Sequence, residues 1–245
     1  VFAGPDLYSG ITIWIAVFAY AGQIYYDFSG YSDIAIGGAK MLGYRFPVNF
    51  RHPYLSGSMS EFWHRWHMTL SRWLRDYVYI ALGGSRVSQW VTYRNLMITM
   101  TLGGLWHGAA WTFVLWGVWH GFALAFERAF RSSIRYRLAR PINWLLTMSV
   151  ILAGWVLFRS DSLVTAAGVL QRMLSFADGV NWYPPLAIAA LLCCVLEHAA
   201  WCTPLRRAMR LPINAWYSPV LTTVMIWALV LYAPRDFRPF VYFQF

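Results

Sequence analysis

Five apolar runs limit what this chain can fold into. Gly10–Tyr26, Ala109–Phe126, Asn143–Phe158, Pro185–Trp201 and Ala215–Ala233 each approach the roughly 20 residues that a helix needs to cross a bilayer. A soluble domain burying all of them would need a charged surface to match, and ordinary domains carry about 25% charged residues. Here charged residues make up 12% of 245 and hydrophobic ones 59%, with a mean hydropathy of +0.44. The expected fold is all-α: a polytopic membrane protein, a multi-helix bundle with short re-entrant and amphipathic helices.

The formal net charge of +10 comes from 20 basic and 10 acidic residues. A basic excess can serve nucleic acid, but here it is gathered in short connections between apolar runs. Arg128, Arg131, Arg135, Arg137 and Arg140 form one cluster, and Arg206, Arg207 and Arg210 another. The runs 143–158 and 185–201 separate them, so both clusters fall on one side of the membrane, the cytoplasmic one by the positive-inside rule. The segment 159–184 is then expected on the other side. No nucleic acid partner is expected; the lipid bilayer is. Cys193, Cys194 and Cys202 have no metal-binding spacing and read as small packing residues. The chain opens on Val1 with no signal peptide before it, so it is expected to be a piece of something longer, with Arg238–Phe245 as a candidate natural terminus.

Polar residues interrupt the apolar pattern in two places. Asp27, Ser29, Gly30, Ser32 and Asp33 follow the first run, which suits a re-entrant turn with Ser32 or Asp33 capping a short helix over Ile34–Leu42. After a loop over Arg45–Ser56, Ser58-Met-Ser-Glu61 has the form of a capping box, with Ser60 as a rival cap. It starts an amphipathic helix expected to run to about Tyr79, with His64 and His67 on one face, and Gly83-Gly84 ends this element. A second helix is expected from near Arg94 through Gly103-Gly104 to Trp106-His107-Gly108, with the glycines allowing close packing and a kink around His107.

Ionisable groups at membrane depth are costly and mark candidate sites. His107 is either a packing histidine or a neutral imidazole that accepts and returns a proton. His64 and His67 at i, i+3 could ligate a metal with His107 and His120 as further ligands, but no HExxH pattern or carboxylate partner accompanies them, so no metal is expected. Arg65, Arg72 and Arg75 either meet lipid headgroups or bind a phosphate-bearing donor. Asp27 and Asp33 beside Ser29 either cap helix ends or line a polar passage. Nucleophile elbow, P-loop and Rossmann glycine patterns are missing, which argues against hydrolase or NTPase chemistry of the soluble type.

Five motifs occur in order: Tyr26-Asp-Phe-Ser-Gly-Tyr-Ser-Asp33, Phe50-Arg-His-Pro-Tyr54, Glu61-Phe-Trp-His-Arg-Trp-His-Met-Thr-Leu-Ser71, Trp73-Leu-Arg-Asp-Tyr77 and Leu105-Trp-His-Gly108. Together they resemble the membrane-bound O-acyltransferase family. The pattern is nearest to the branch of the alginate O-acetylation membrane subunit, and similar to the membrane protein of teichoic acid D-alanylation. The resemblance is strong over Tyr25–Phe126 and weak at the final Pro-Phe-Val-Tyr-Phe-Gln-Phe. It implies a many-helix enzyme with a funnel or tunnel to a central histidine. Family members are longer, so residues 1–245 are expected to be the C-terminal part of one membrane domain whose N-terminal helices lie outside them.

By this resemblance His107 is the catalytic histidine and His67 the second one. Arg65, Arg72, Trp106, Asp27 and Ser29 are the expected substrate- and donor-binding set. His64 stands where relatives commonly have arginine, which leaves its role open. The implied reaction moves an acetyl group from a cytoplasmic thioester, acetyl-CoA, toward a periplasmic exopolysaccharide such as alginate, directly or through a periplasmic acetylation or polysaccharide-modifying partner. No tightly bound cofactor is implied, and the location is the bacterial inner membrane. In this mechanism His107 is general base or transient acyl carrier. His67 orients it, polarises the thioester carbonyl or helps the second proton transfer. The competing readings are a D-alanyl, lipid or protein acyltransferase, a transporter, and a non-catalytic scaffold.

Overall fold

The computed structural model describes residues 1–133, 139–175, 178–201, 203 and 216–232. Arg135, Arg137, Arg206, Arg207, Arg210, Cys202 and the segment 238–245 lie outside the described residues. The described chain is helical, and one isolated bridge, between Tyr8 and Val180, is the β-type pairing it holds. It forms two compact units, Val1–Leu191 and Leu192–Phe245.

In the first unit α1 spans Gly10–Met41 and starts at Ser9, whose hydroxyl accepts from the Thr12 amide at 3.3 Å. The expected re-entrant break is not there. Asp27 to Asp33 continue the helix, and neither Ser32 nor Asp33 caps a new one. The stretch contains no proline, so no helical hydrogen bond is lost. Asp27 and Asp33 keep their carboxylates exposed, and the buried Ser32 hydroxyl accepts from Asn49 Nδ2 at 3.3 Å. The helix ends at Gly43 (φ +84°), with the Tyr44 amide closing on Ala39 O at 2.8 Å.

The expected single helix over 58–79 is three pieces: α2 (Met59–Arg65), α3 (Met68–Leu74) and a π turn over Arg75–Tyr79. The capping box holds at its start. Ser58 Oγ accepts from the Glu61 amide at 3.1 Å, and Glu61 reaches back to the Gly57 amide at 2.8 Å. Helix α4 (Gln89–His107) begins ahead of Arg94 and is continuous through Gly103-Gly104. It packs on α5 (Trp111–Ser133), which is followed by α6 (Arg140–Arg159). Helix α7 (Leu163–Ser175), not expected from the sequence, is too short to span. It buries Ala166, Val169 and Met173 and packs on α1 and α6.

Polar ties fix these packings. Tyr54 OH donates to Ala21 O at 2.6 Å, Trp144 Nε1 to Tyr54 O at 2.7 Å, Trp119 Nε1 to Val150 O at 2.8 Å, and the Met59 amide to Glu127 at 2.6 Å. The core among them is aromatic: Phe62, Trp66, Trp116, Trp155 and Phe158 are fully buried.

Among the described helices, α6 alone is long and apolar enough to cross a membrane by length and composition. Helices α1, α4 and α5 match it in length but mix glycine, hydroxyl and amphipathic aromatic residues into the run. Helices α8 (Pro185–Trp201) and α9 (Ser218–Tyr232) are apolar and shorter. In the second unit Cys194 is buried, and the His198 ring meets the Cys194 carbonyl and Glu197, each at 3.0 Å.

Glycines set the α4–α5 distance. A Cβ on Gly104 would lie 2.2 Å from Phe113 O, and one on Gly117 2.4 Å from Met100 O. Small residues at such crossings let backbones meet. Gly104→Ala is expected to lower the melting temperature in detergent sharply. Gly38→Ala, where nothing lies within 4 Å of the added atom, is expected to be neutral or stabilising by up to about 1 kcal/mol. Thermal unfolding of both variants checks this contrast.

Candidate active site

His67 sits at the break between α2 and α3, in the left-handed region (φ 40°, ψ 53°). For a residue with a Cβ this conformation costs on the order of 1–3 kcal/mol and persists only where the surroundings enforce it. The loop before α2 does so. The Arg51 amide donates to Arg65 O at 2.9 Å, and the Met68 amide donates to Asn49 O at 3.0 Å, so the backbone groups freed by the break are paired. Ser71 Oγ donates to Trp66 O at 3.1 Å. The break takes His67 out of register with His64, so the two do not share a helical face.

The His67 side chain is buried, with Nδ1 3.3 Å from Asn49 Oδ1. Phe28 stands perpendicular to the ring at 4.6 Å and Phe50 stacks at 6.5 Å. On its other side is Trp106, 6.2 Å away between ring centres. Trp106 in turn lies 4.9 Å from the ring of His107, the last residue of α4. One indole, itself 58% exposed, therefore contacts both imidazoles from an open side of the site.

His107 is half-buried. Its ring meets Trp116 edge-on at 5.3 Å and Phe158 at 5.1 Å, so α5 and α6 form its back wall. The glycine after it has a steric reason: a Cβ on Gly108 would stand 2.8 Å from the Phe113 ring, which itself packs on His107 and Phe158. Two imidazoles held by aromatic walls and reached past one exposed indole form a site able to take up and return a proton.

The other expected residues are dispersed. Asp27 is exposed and Ser29 half-buried; they flank Phe28, whose ring reaches His67. Arg65 pairs with Glu61 at 2.7 Å and donates to Arg51 O at 3.3 Å, which ties α2 to the loop. Arg72 is exposed and lines a separate groove of about 400 Å³ with His64, Arg75 and Arg128 over Trp63, Met68 and Leu124. Arg75 also pairs with Asp76 at 2.8 Å, and its guanidinium holds the Asp76 carboxyl below the usual carboxylate range. His64 Nδ1 donates to Ser60 O at 2.6 Å and its ring is exposed. His120 is fully buried against Trp63 and Trp116, and a Cβ on Gly154 would lie 2.6 Å from its Nε2.

Sequence reasoning did not single out Asn49, Trp116 or Phe158. Asn49 had a signal, as a polar residue directly before the Phe50–Tyr54 motif. Trp116 and Phe158 had none, since an aromatic residue in an apolar run looks like any other.

The profile of the membrane-bound O-acyltransferase family matches residues 4–159. A protein named "probable alginate O-acetylase AlgI" in Azotobacter vinelandii is 53% identical over 67% of this chain and 33% of its own length. One of the same name in Pseudomonas putida is 42% identical over 95% of this chain and 53% of its own. A peptidoglycan O-acetyltransferase of Helicobacter pylori is 43% identical over 71% of this chain and 33% of its own. The chain thus spans between a third and about half of the length of these relatives.

Proposed function

The chain belongs to the membrane-bound O-acyltransferase family, and on that premise we propose that it forms the reacting part of an O-acetyltransferase. The complete protein moves an acetyl group from a cytoplasmic thioester, acetyl-CoA, toward a hydroxyl of a periplasmic exopolysaccharide such as alginate. The observation that carries this reading is the meeting of His67 and His107 on one indole, Trp106. These residues come from two elements far apart in sequence, and the backbone at His67 adopts a conformation it would not take unaided. The names of the relatives, acetylases of alginate and of peptidoglycan, support acetyl as the group and a polysaccharide as the acceptor.

Acyl transfer from a thioester needs a proton removed from the attacking hydroxyl and one delivered to the leaving thiolate. His107 acts as general base toward the hydroxyl or as transient acyl carrier, and His67 serves the proton traffic beside it. The aromatic walls of Phe28, Phe50, Trp116 and Phe158 keep bulk water from the thioester. The groove beside Arg72, Arg75 and Arg128 suits an anionic donor, since guanidinium groups bind phosphate oxygens through several hydrogen bonds. The exposed Arg128, near the end of α5, and Arg140, at the start of α6, support a cytoplasmic face at that end. The protein then sits in the bacterial inner membrane and crosses it several times. A periplasmic acetylation or polysaccharide-modifying protein and the polymer itself are its partners.

His107→Ala in the complete protein is expected to lower polymer acetylation by about two orders of magnitude or more at unchanged protein level, measured as acetate released from the polysaccharide. His67→Ala is expected to have a similarly large effect. Normal acetylation by the His107 variant contradicts the proposal. His64→Arg is expected to retain near-normal activity, because the His64 ring is exposed, bonds to Ser60 O of its own turn, and an arginine there keeps the groove cationic. With labelled acetyl-CoA supplied to membranes, covalent label in the acceptor is expected; uptake of solute without covalent transfer indicates a transporter instead.

A further inference from the structure

Asn49 is buried and joins three pieces of the site: α1 through Ser32, the α2–α3 break through its backbone carbonyl, and the first turn of α3 through Thr69. The orientation of its amide is settled by its neighbours. The Thr69 backbone N–H lies 3.1 Å from Asn49 Oδ1, and a backbone N–H only donates, so the amide presents oxygen there. The Thr69 hydroxyl also donates to this oxygen at 3.0 Å, while Nδ2 on the other side donates to Ser32.

The same oxygen lies 3.3 Å from His67 Nδ1. The Thr69 hydroxyl oxygen lies 3.4 Å from that nitrogen and has spent its hydrogen on Asn49. Nδ1 therefore faces two acceptors, and a neutral imidazole in this setting carries its hydrogen on Nδ1. Its lone pair is on Nε2, which is buried and has no hydrogen-bond partner among the described residues.

We propose that Asn49 is a positioning residue that fixes the Nδ1–H tautomer of His67, so that His67 enters the reaction as a proton acceptor through Nε2. The inference rests on the acyl-transfer reading and narrows it. Polarising the thioester carbonyl would require a hydrogen on Nε2, the nitrogen this network leaves with a lone pair. In the assigned step His107 is the transient acyl carrier: its ring nitrogen bonds to the thioester carbonyl carbon and the C–S bond breaks with its electron pair on sulfur. The acceptor O–H bond then breaks and its proton passes to Nε2 of His67 as the oxygen bonds to the acyl carbon. The C–N bond to His107 breaks with its pair on nitrogen, and Nε2 gives the proton to the thiolate. Throughout, Nδ1–H stays on Asn49 Oδ1, which stabilises the transient imidazolium.

The test is the nitrogen NMR spectrum of the full-length protein labelled with ¹⁵N-histidine at neutral pH, with the His67 signals identified by their loss in His67→Ala. A protonated Nδ1 and an unprotonated Nε2 are expected for His67. Asn49→Leu is expected to turn this into a mixture of tautomers and to lower kcat about a hundredfold with KM little changed. Asn49→Asp, which keeps an acceptor oxygen, is expected to restore most of kcat. A hydrogen on Nε2 in the unsubstituted protein overturns the proposal, and that spectrum decides the matter even if Asn49→Leu does not fold. Wild-type kcat in a folded Asn49→Leu variant overturns it as well. Full activity of His67→Ala would instead reject the role of His67 in acyl transfer, a different failure from a misassigned tautomer.

Discussion

Two backbone hydrogen bonds hold the site together: Arg51 N–H to Arg65 O and Met68 N–H to Asn49 O. They let the chain interrupt a helix at Trp66-His67 without leaving buried peptide groups unpaired, which in an apolar setting is expensive. Without them, continuing the helix from α2 into α3 is the cheaper course, and His67 would rotate away from Trp106. The left-handed backbone at His67 is thus maintained by the loop 49–51. That loop is itself pinned by Asn49 to Ser32, and the 3-10 turn after it by Tyr54 to Ala21 and Trp144 to Tyr54.

The second half of the site depends on contact between α4 and α5. Gly104 and Gly117 bring the two backbones together, and Gly108 leaves room for the Phe113 ring. The end of α4 is thereby set against Trp116 and Phe158, and His107 is presented edge-on to an aromatic wall. The two histidines thus owe their meeting to different devices, hydrogen-bonded loop backbone for one and glycine packing for the other. Trp106, carried on α4 next to His107, is where the two arrangements join.

Much of this was legible in the residues. The helical character, the capping box at Ser58 and the close packing announced by Gly103-Gly104 follow from spacing and composition, whereas the weight placed on His67, Trp106 and His107 rests on the resemblance carried by the five ordered motifs. The failures have physical reasons. Polar residues at Asp27–Asp33 looked like a turn, yet without proline a helix tolerates them where carboxylates stay exposed and Ser32 has a partner. The 58–79 segment has a continuous helical pattern, and only a tertiary partner, the loop 49–51, breaks it. Helix α7 carries a clear apolar stripe, but its thirteen residues fall short of the membrane-length runs from which the helices are read. Arg65 and Arg72 read as residues of one helix, but the break at His67 puts them on α2 and α3, with Arg65 paired to Glu61 and Arg72 over the groove.

The central claim is that a thioester donor reaches the two imidazoles around Trp106. The most direct measurement is an experimental structure of the full-length protein with a non-reactive thioether analogue of acetyl-CoA. The account predicts the carbon that replaces the thioester carbonyl within reacting distance of the imidazole pair, with about 3–3.5 Å between the atoms that would react. An analogue whose acyl end lies on the lipid-facing surface, or in any cavity separated from both rings, would contradict it.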